Sequence, residues 1–334
     1  MDHSDRSVRG TPTGLNFYLA AGHLLANLYQ FFLLPLYLLP LSGWWGLTLV
    51  PLALLSNSFW SLIHEAIHDS FHPASRINRL AGRLLSVFFG GPFCVLRLSH
   101  LLHHKFNRTP LEGTELYQPE RGSRARAGVG YYLQILGGLY LIEAISSWPF
   151  FFPRKLLRLL ERRFFSRDNL SGILWRSLMK DETIREVRLD GAVILALWGV
   201  SAVCYGGNWR LLAGALFLRA FLISFLDNVY HYRTPVNDIW YARNLRLPQW
   251  TARMLLHFNL HGVHHRSPAL PWTLLPEAFA AQSGHYDGDY FVAALRQLSG
   301  PVPLSDLPAA GAAAHPPSPF FPAQPNRERR VLGG

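Results

Sequence analysis

Residues 15–40 and 44–63 carry no formal charge, and no other feature of this 334-residue chain restricts its fold so strongly. A stretch of about 20 apolar residues is long enough to cross the hydrocarbon core of a bilayer as a helix. Backbone groups in that medium must satisfy one another, so a helix is the element such a stretch can form. The two stretches are separated by Leu41-Ser42-Gly43 and predict a helical hairpin. A second hairpin is predicted over residues 191–206 and 211–226, turned at Gly206-Gly207-Asn208. Composition agrees: 49% of residues are hydrophobic and 16% charged, against about 25% charged in soluble domains.

The net charge of +11 does not point to nucleic acid, because the basic residues flank apolar segments. That is the pattern of cytoplasmic loops beside anionic lipid. Residues 153–188 hold ten Lys or Arg against five acids, which assigns them to the cytoplasmic side. Residues 129–152 (VGYYLQILGGLYLIEAISSWPFFF) are apolar enough for a further crossing. A single crossing there would place residues 153–188 outside and separate His64 from the later histidines, so the segment is read as re-entrant or interfacial. Residues 80–96 are read similarly. The expected fold is an all-α integral membrane protein with about four transmembrane helices in two hairpins, re-entrant or interfacial helices and a cytoplasmic histidine-rich cap. Residues 1–14 read as a polar N-terminal segment and residues 15–300 as the membrane domain. Residues 301–334, with eight prolines, read as a disordered tail.

Fifteen histidines are present, and they cluster. His64, His68 and His72 stand at i, i+4 and i+8 in HEAIHDSFH, one face of a helix. His100, His103 and His104 form HLLHH, and His261, His264 and His265 form HGVHH. His231 directly follows the last apolar span. Spacings of three and four bring imidazoles to one side of a helix, and three such helices can surround one small volume. Neutral imidazole suits Fe, Zn, Cu and Ni. Eight or nine such ligands exceed what one ion coordinates, so the number points to two metals. His72 and His257 extend the clusters by a turn, as second-layer partners or as ordinary interface residues. His3, His23, His285 and His315 read as surface or structural. The two cysteines, Cys94 and Cys204, permit neither a disulfide framework nor an iron–sulfur cluster.

With these boxes in view, the chain resembles the membrane fatty acid desaturase and hydroxylase superfamily over roughly residues 45–280. The resemblance rests on HEAIH followed by DSFHPASRINRLAG, on RLSHLLHHKFN and on FNLHGVHHRSPALPW. It implies that His64, His68, His100, His103, His104, His231, His261, His264 and His265 bind two non-haem iron ions. Some members carry an Asn four residues before the ninth histidine, acting through water; here Asp227 stands there, with Asn228 beside it. As i and i+4 residues, Asp227 and His231 predict a carboxylate that orients the ring. Arg219, two turns earlier, reads as a partner of Asp227 or as a contact to a polar substrate end.

The implied activity is O2-dependent removal of hydrogen from an unactivated C–H bond of a lipid-like substrate. Desaturation of a fatty acyl or related chain is the first reading; hydroxylation or ketolation on the same ligands is the second. A separate electron donor of ferredoxin, rubredoxin or cytochrome type is required, with its reductase, and residues 153–188 either dock it or form an ordinary positive-inside loop. HEAIH also matches the HExxH of zinc peptidases, in which Glu65 would be the base. That reading, like a metal carrier, leaves HLLHH, HGVHH and His231 unexplained. In the oxidase reading Glu65 either hydrogen-bonds a ligand imidazole or simply fills the helix.

Overall fold

The computed structural model describes residues 10–166, 169–282 and 284–307, so most of the expected polar N-terminal segment and tail lies outside the described residues. The architecture is helical, with two pairs of two-residue parallel strands, Leu116–Tyr117 with Val302–Pro303 and Leu245–Arg246 with Gly288–Asp289. The first pair shows that residues 301–307 join the folded unit, and Val302 is buried. The expected tail boundary at 301 therefore falls too early. A Pro-rich composition does not forbid an extended edge strand.

Helix α1 (Thr13–Leu28) continues through Tyr29–Leu38 as one stretch long and apolar enough to cross a membrane. The next arm is bent by 41° between Gly43–Leu54 and Ser56–Ile67, and the second part is α2. It is followed by α3 (Ser75–Phe89) and α4 (Phe93–Phe106), which meet at 102°. Gly90 makes that corner. Its φ is +106°, and a Cβ there would collide with Trp198 and the Tyr140 hydroxyl. Helices α5 (Asp181–Tyr205) and α6 (Trp209–Asp227) reverse at the predicted Gly206 turn. Three stretches satisfy the length and apolarity of a span, Thr13–Leu38, Arg124–Phe151 and Asp181–Tyr230, rising to five if each bent pair counts as one. Large apolar side chains are exposed on α5 and α6, Val203 by 81% and Phe217 by 68%.

The segment Arg124–Phe151 has the length of a span but breaks at Leu136 and Gly137, where the backbone leaves the helical region. Gly137 approaches the backbone of Ala220 and Phe221 on α6. Both arms then lead back toward the end of the bundle where α5 begins and α6 stops. Tyr131 donates to the Gln297 carbonyl, 2.8 Å, and the Phe150 carbonyl accepts from Arg188 Nε, 2.6 Å.

Helix α5 begins ten residues earlier than the apolar pattern indicates. Its first turns carry charges that find partners: Glu186 pairs with Arg79, and Asp190 with Arg83, on α3. Arg219 is buried on α6 and does not pair with Asp227. Its Nη1 donates to the Phe88 and Phe89 carbonyls, both 3.1 Å, and Nη2 to Asn27 Oδ1, 3.0 Å. The last carbonyls of a helix have no partner within it and carry partial negative charge, which a cation satisfies. Arg219 thus caps α3 and ties it to α1. Arg219→Ala takes the donor from Asn27 Oδ1 and the Phe88 carbonyl, while the Phe89 carbonyl keeps the Tyr140 hydroxyl, and is expected to cost about 2 kcal/mol. Thermal unfolding in detergent measures this, and Arg219→Lys should recover only part, since one ammonium does not reproduce the planar fork.

Candidate metal centre

Helix α2 carries His64 to the end of the bundle and stops at Ile67, after which Asp69 takes a left-handed φ of 59°. Asn78 on α3 fixes the turn, its Oδ1 accepting from the Phe71 and His72 amides at 3.0 Å. Helix α4 delivers His100, His103 and His104, and α7 (His261–Arg266) delivers His261, His264 and His265. Helix α7 lies flat against the backbone of Ala242, and Gly262 allows it, because a Cβ there would strike the Ala242 carbonyl.

The nine histidines of the three boxes and His231 gather into two groups. His64, His68, His100, His104 and His264 form the first; His103, His231, His261 and His265 form the second; in each, one ring nitrogen per residue lies within 4.8 Å of the others. Helical pitch explains the division. His64 and His68, His100 and His104, and His261 and His265 are i, i+4 pairs and stay together. His103 and His264, at i+3 in their boxes, point to the neighbouring group. Each HxxHH box therefore serves both groups.

The spacing within the groups is that of a coordination shell. His64 Nε2 is 3.0 Å from His264 Nε2, which is 3.0 Å from His104 Nε2. His104 Nε2 is 3.0 Å from His100 Nε2, which is 2.9 Å from His68 Nε2. In the second group the separations are 3.3 Å for His103–His265 and 3.2 Å for His265–His261. Two nitrogens bound at right angles about 2.1 Å from one ion lie about 3.0 Å apart. A hydrogen-bonded chain is the poorer account, because each neutral Nε2 is either a donor or an acceptor and cannot satisfy two neighbours. Both ring nitrogens of His231 and Nδ1 of His261 are buried without a hydrogen-bond partner. Burial, chiefly, holds His231, His261, His264 and His265 well below the usual imidazole range and lowers His68 to about 3. These rings are neutral, with a lone pair free for a metal.

Around the groups, Glu112 Oε1 accepts from His103 Nδ1 at 2.5 Å. Asn107 Nδ2 lies 3.4 Å from His265 Nδ1 and donates to the Ile239 and Tyr241 carbonyls. Sequence reasoning missed both. Asn107 was within reach, three residues past His104 in RLSHLLHHKFN. Glu112 sits in a loop, where no periodicity signals it.

Among the described residues, no hydrogen bond joins Glu65, His72, Asp227 or His257 to a ring of the two groups. Helix α6 ends at Asp227 and tightens into a 3₁₀ turn over Asn228–Tyr230, which breaks the i, i+4 relation to His231. Asp227 does not hydrogen-bond His231 and instead lines a cavity of about 200 Å³ with His100, His103 and His231. His72 Nδ1 accepts from the Ala74 amide, 2.8 Å, and His257 stacks on Trp272 at 6.0 Å between centroids. Neither joins a group. The Glu65 carboxylate accepts from the Trp272 amide, 3.2 Å, and fastens α2 to the chain beyond α7. A peptidase base stands beside metal-bound water; Glu65 is committed to the backbone.

Helices long and apolar enough to cross a membrane, with two adjacent polyhistidine groups, fit a membrane protein that binds metal. The chain belongs to the fatty acid desaturase family, whose profile matches residues 42–292. The family is one of membrane-bound oxidoreductases. No curated protein and no solved structure matches the chain. Glu65→Ala, which removes the acceptor of the buried Trp272 amide, is expected to destabilise by about 2 kcal/mol. Glu65→Gln keeps an acceptor and should retain most of the melting temperature in the same thermal scan.

Proposed function

We propose that the two histidine groups hold two iron ions and that the protein is an O2-dependent oxidase of a lipid-like chain, acting first as a desaturase. The observation that carries this reading is the collection of all nine histidines into two adjacent groups with coordination-like spacing, in a chain of this family. His64, His68, His100, His104 and His264 would hold one ion, and His103, His231, His261 and His265 the other. Bound there, the metal pair supplies oxidation of an unactivated C–H bond at the expense of O2.

The protein's own part is positioning. His103 donates Nδ1–H to Glu112, which fixes its tautomer and leaves Nε2 as the ligand atom. Asn107 and the carbonyls it holds keep His265 in register. Trp60, 6.1 Å from the His100 ring and 6.4 Å from His64 between centroids, walls the centre off from the apolar interior and lines the cavity where substrate approaches. Electrons come from a separate ferredoxin, rubredoxin or cytochrome with its reductase, since two cysteines cannot build an iron–sulfur carrier within the chain. The basic segment 153–188 supports a cytoplasmic side for the histidine groups.

Purified protein is expected to carry about two iron ions per chain. His104→Ala and His265→Ala, one from each group, should both lower the iron content and abolish turnover. Full activity in either sinks the assignment, and one zinc in place of iron restores the peptidase reading. Glu112→Gln should weaken metal binding about 10- to 100-fold at the second group only, read by metal titration. Mass spectrometry of lipids after expression separates the outcomes: loss of two hydrogens marks a desaturase, gain of one oxygen a hydroxylase.

A further inference from the structure

Between the re-entrant segment and the apolar part of α5, the chain builds an outward face that the metal centre does not use. Asp190 is the last charged residue of α5, which runs uncharged from there to Tyr205. A turn at Trp148–Phe151 packs at the level where those charges stop. Arg188 Nε donates to the Phe150 carbonyl, 2.6 Å, and its Nη2 to the Phe152 carbonyl, 3.1 Å, while a Cβ on Gly191 would strike Ser147. Trp148, Phe151 and Phe152 are nevertheless 47%, 44% and 51% exposed. Exposed aromatic rings at the end of an apolar run mark the headgroup level of a bilayer. Only Pro153 then separates Phe152 from the helix Arg154–Phe164. Leu157 of that helix is fully buried, in a cluster with Phe150, Trp175 and Ile184. On the opposite side Lys155, Arg158, Leu159, Arg162 and Arg163 recur at i, i+3, i+4, i+7 and i+8, and all are exposed. Among the described residues these four cations have no ion pair, whereas Arg154 of the same helix meets Asp181. Leu159, 60% exposed, stands in their midst.

We infer that this face docks on the headgroups of anionic phospholipids, the four cations meeting phosphate oxygens while Leu159 and the aromatic turn enter the boundary beneath them. The inference holds whichever metal the histidines bind. Guanidinium groups bind phosphate oxygens through two parallel hydrogen bonds, and each cation near an anionic leaflet adds to the attraction. A basic loop that only faced water would have no use for an exposed leucine and three exposed aromatic rings beside its charges. Seating them at the bilayer boundary removes that apolar surface from water. An acidic soluble protein would match the cations, but it approaches from the water side and leaves the aromatic turn uncovered. The attachment also reaches the histidine groups. Phe165 and Phe150 pack on Trp175, 4.4 and 4.9 Å between centroids. Leu170 begins the helix that carries Trp175 and lines the cavity beside His100 and His103. A lipid-docked helix thus steadies one wall of that cavity.

The test titrates metal-loaded, full-length protein in dodecyl maltoside with dioctanoyl phosphatidylglycerol and, separately, dioctanoyl phosphatidylcholine. Calorimetry should show the anionic lipid binding about 10-fold or more tightly at low salt, with the preference shrinking as salt rises toward about 1 M. The fourfold variant Lys155→Gln, Arg158→Gln, Arg162→Gln, Arg163→Gln should lose that preference and keep the melting temperature, since its side chains are exposed. Leu159→Asn, with every charge in place, should weaken phosphatidylglycerol about 3-fold, and answers the question if the fourfold variant does not fold. Equal affinity for the two lipids overturns the inference, as does either variant binding them as the wild type does. An acidic [2Fe–2S] ferredoxin whose binding the fourfold variant loses, while the two lipids bind alike, would assign the face to a soluble carrier and overturn it too. Failure of the oxidase reading would appear separately, as protein without iron, because lipid docking requires no turnover.

Discussion

The pitch of the α-helix governs the centre of this protein. Three short helical runs carry the boxes, and each HxxHH run faces two directions at once, since residues four apart stay aligned while the residue three along turns aside. The two groups are consequently not separate modules. Helices α4 and α7 each contribute to both, so any shift of either helix moves ligands in both groups together. The i+3 residues, His103 and His264, act as the cross-links.

The rest of the bundle keeps those helix ends in place by satisfying polar groups in an apolar setting. Arg219 caps α3 with its guanidinium, Arg79 and Arg83 dock α3 onto the charged first turns of α5, and Glu65 holds the Trp272 amide. Asn16 continues this last connection, donating to the Phe71 carbonyl at 2.9 Å and accepting from Trp272 Nε1 at 3.0 Å. Helix α1 is in this way tied both to the turn after the first box and to the chain after the third. Each of these contacts is worth little in water; inside a bilayer the unsatisfied alternative is expensive.

The sequence was most readable where chemistry depends on local spacing. The histidine boxes, the Gly206 reversal and the apolar stretches all follow from short-range periodicity. Reading failed where a partner comes from far along the chain. Arg219 and Asp227 lie on one face of α6, which suggests a pair, but the free carbonyls at the end of α3 are the nearer acceptors. The i, i+4 rule linked Asp227 to His231 only on the assumption that α6 continues, and it tightens at Asn228, before His231 is reached. The expectation that Glu65 hydrogen-bonds a ligand imidazole or merely fills the helix misses its partner, the Trp272 amide, which is more than 200 residues away. Glu112 was invisible because loop geometry leaves no period in the sequence.

The division of ligands along the chain also sets when the centre can exist. The first group has four of its five histidines by residue 104, whereas three of the four in the second group are synthesised from residue 231 onward. A growing chain inserted up to its first hairpin and α4 therefore owns most of one centre and a single ligand of the other. Metal captured at that stage would occupy a site that still lacks the i+3 histidine of the last box. Neither group is complete until residue 265 has been made, because α7 supplies His264 to one and His261 and His265 to the other.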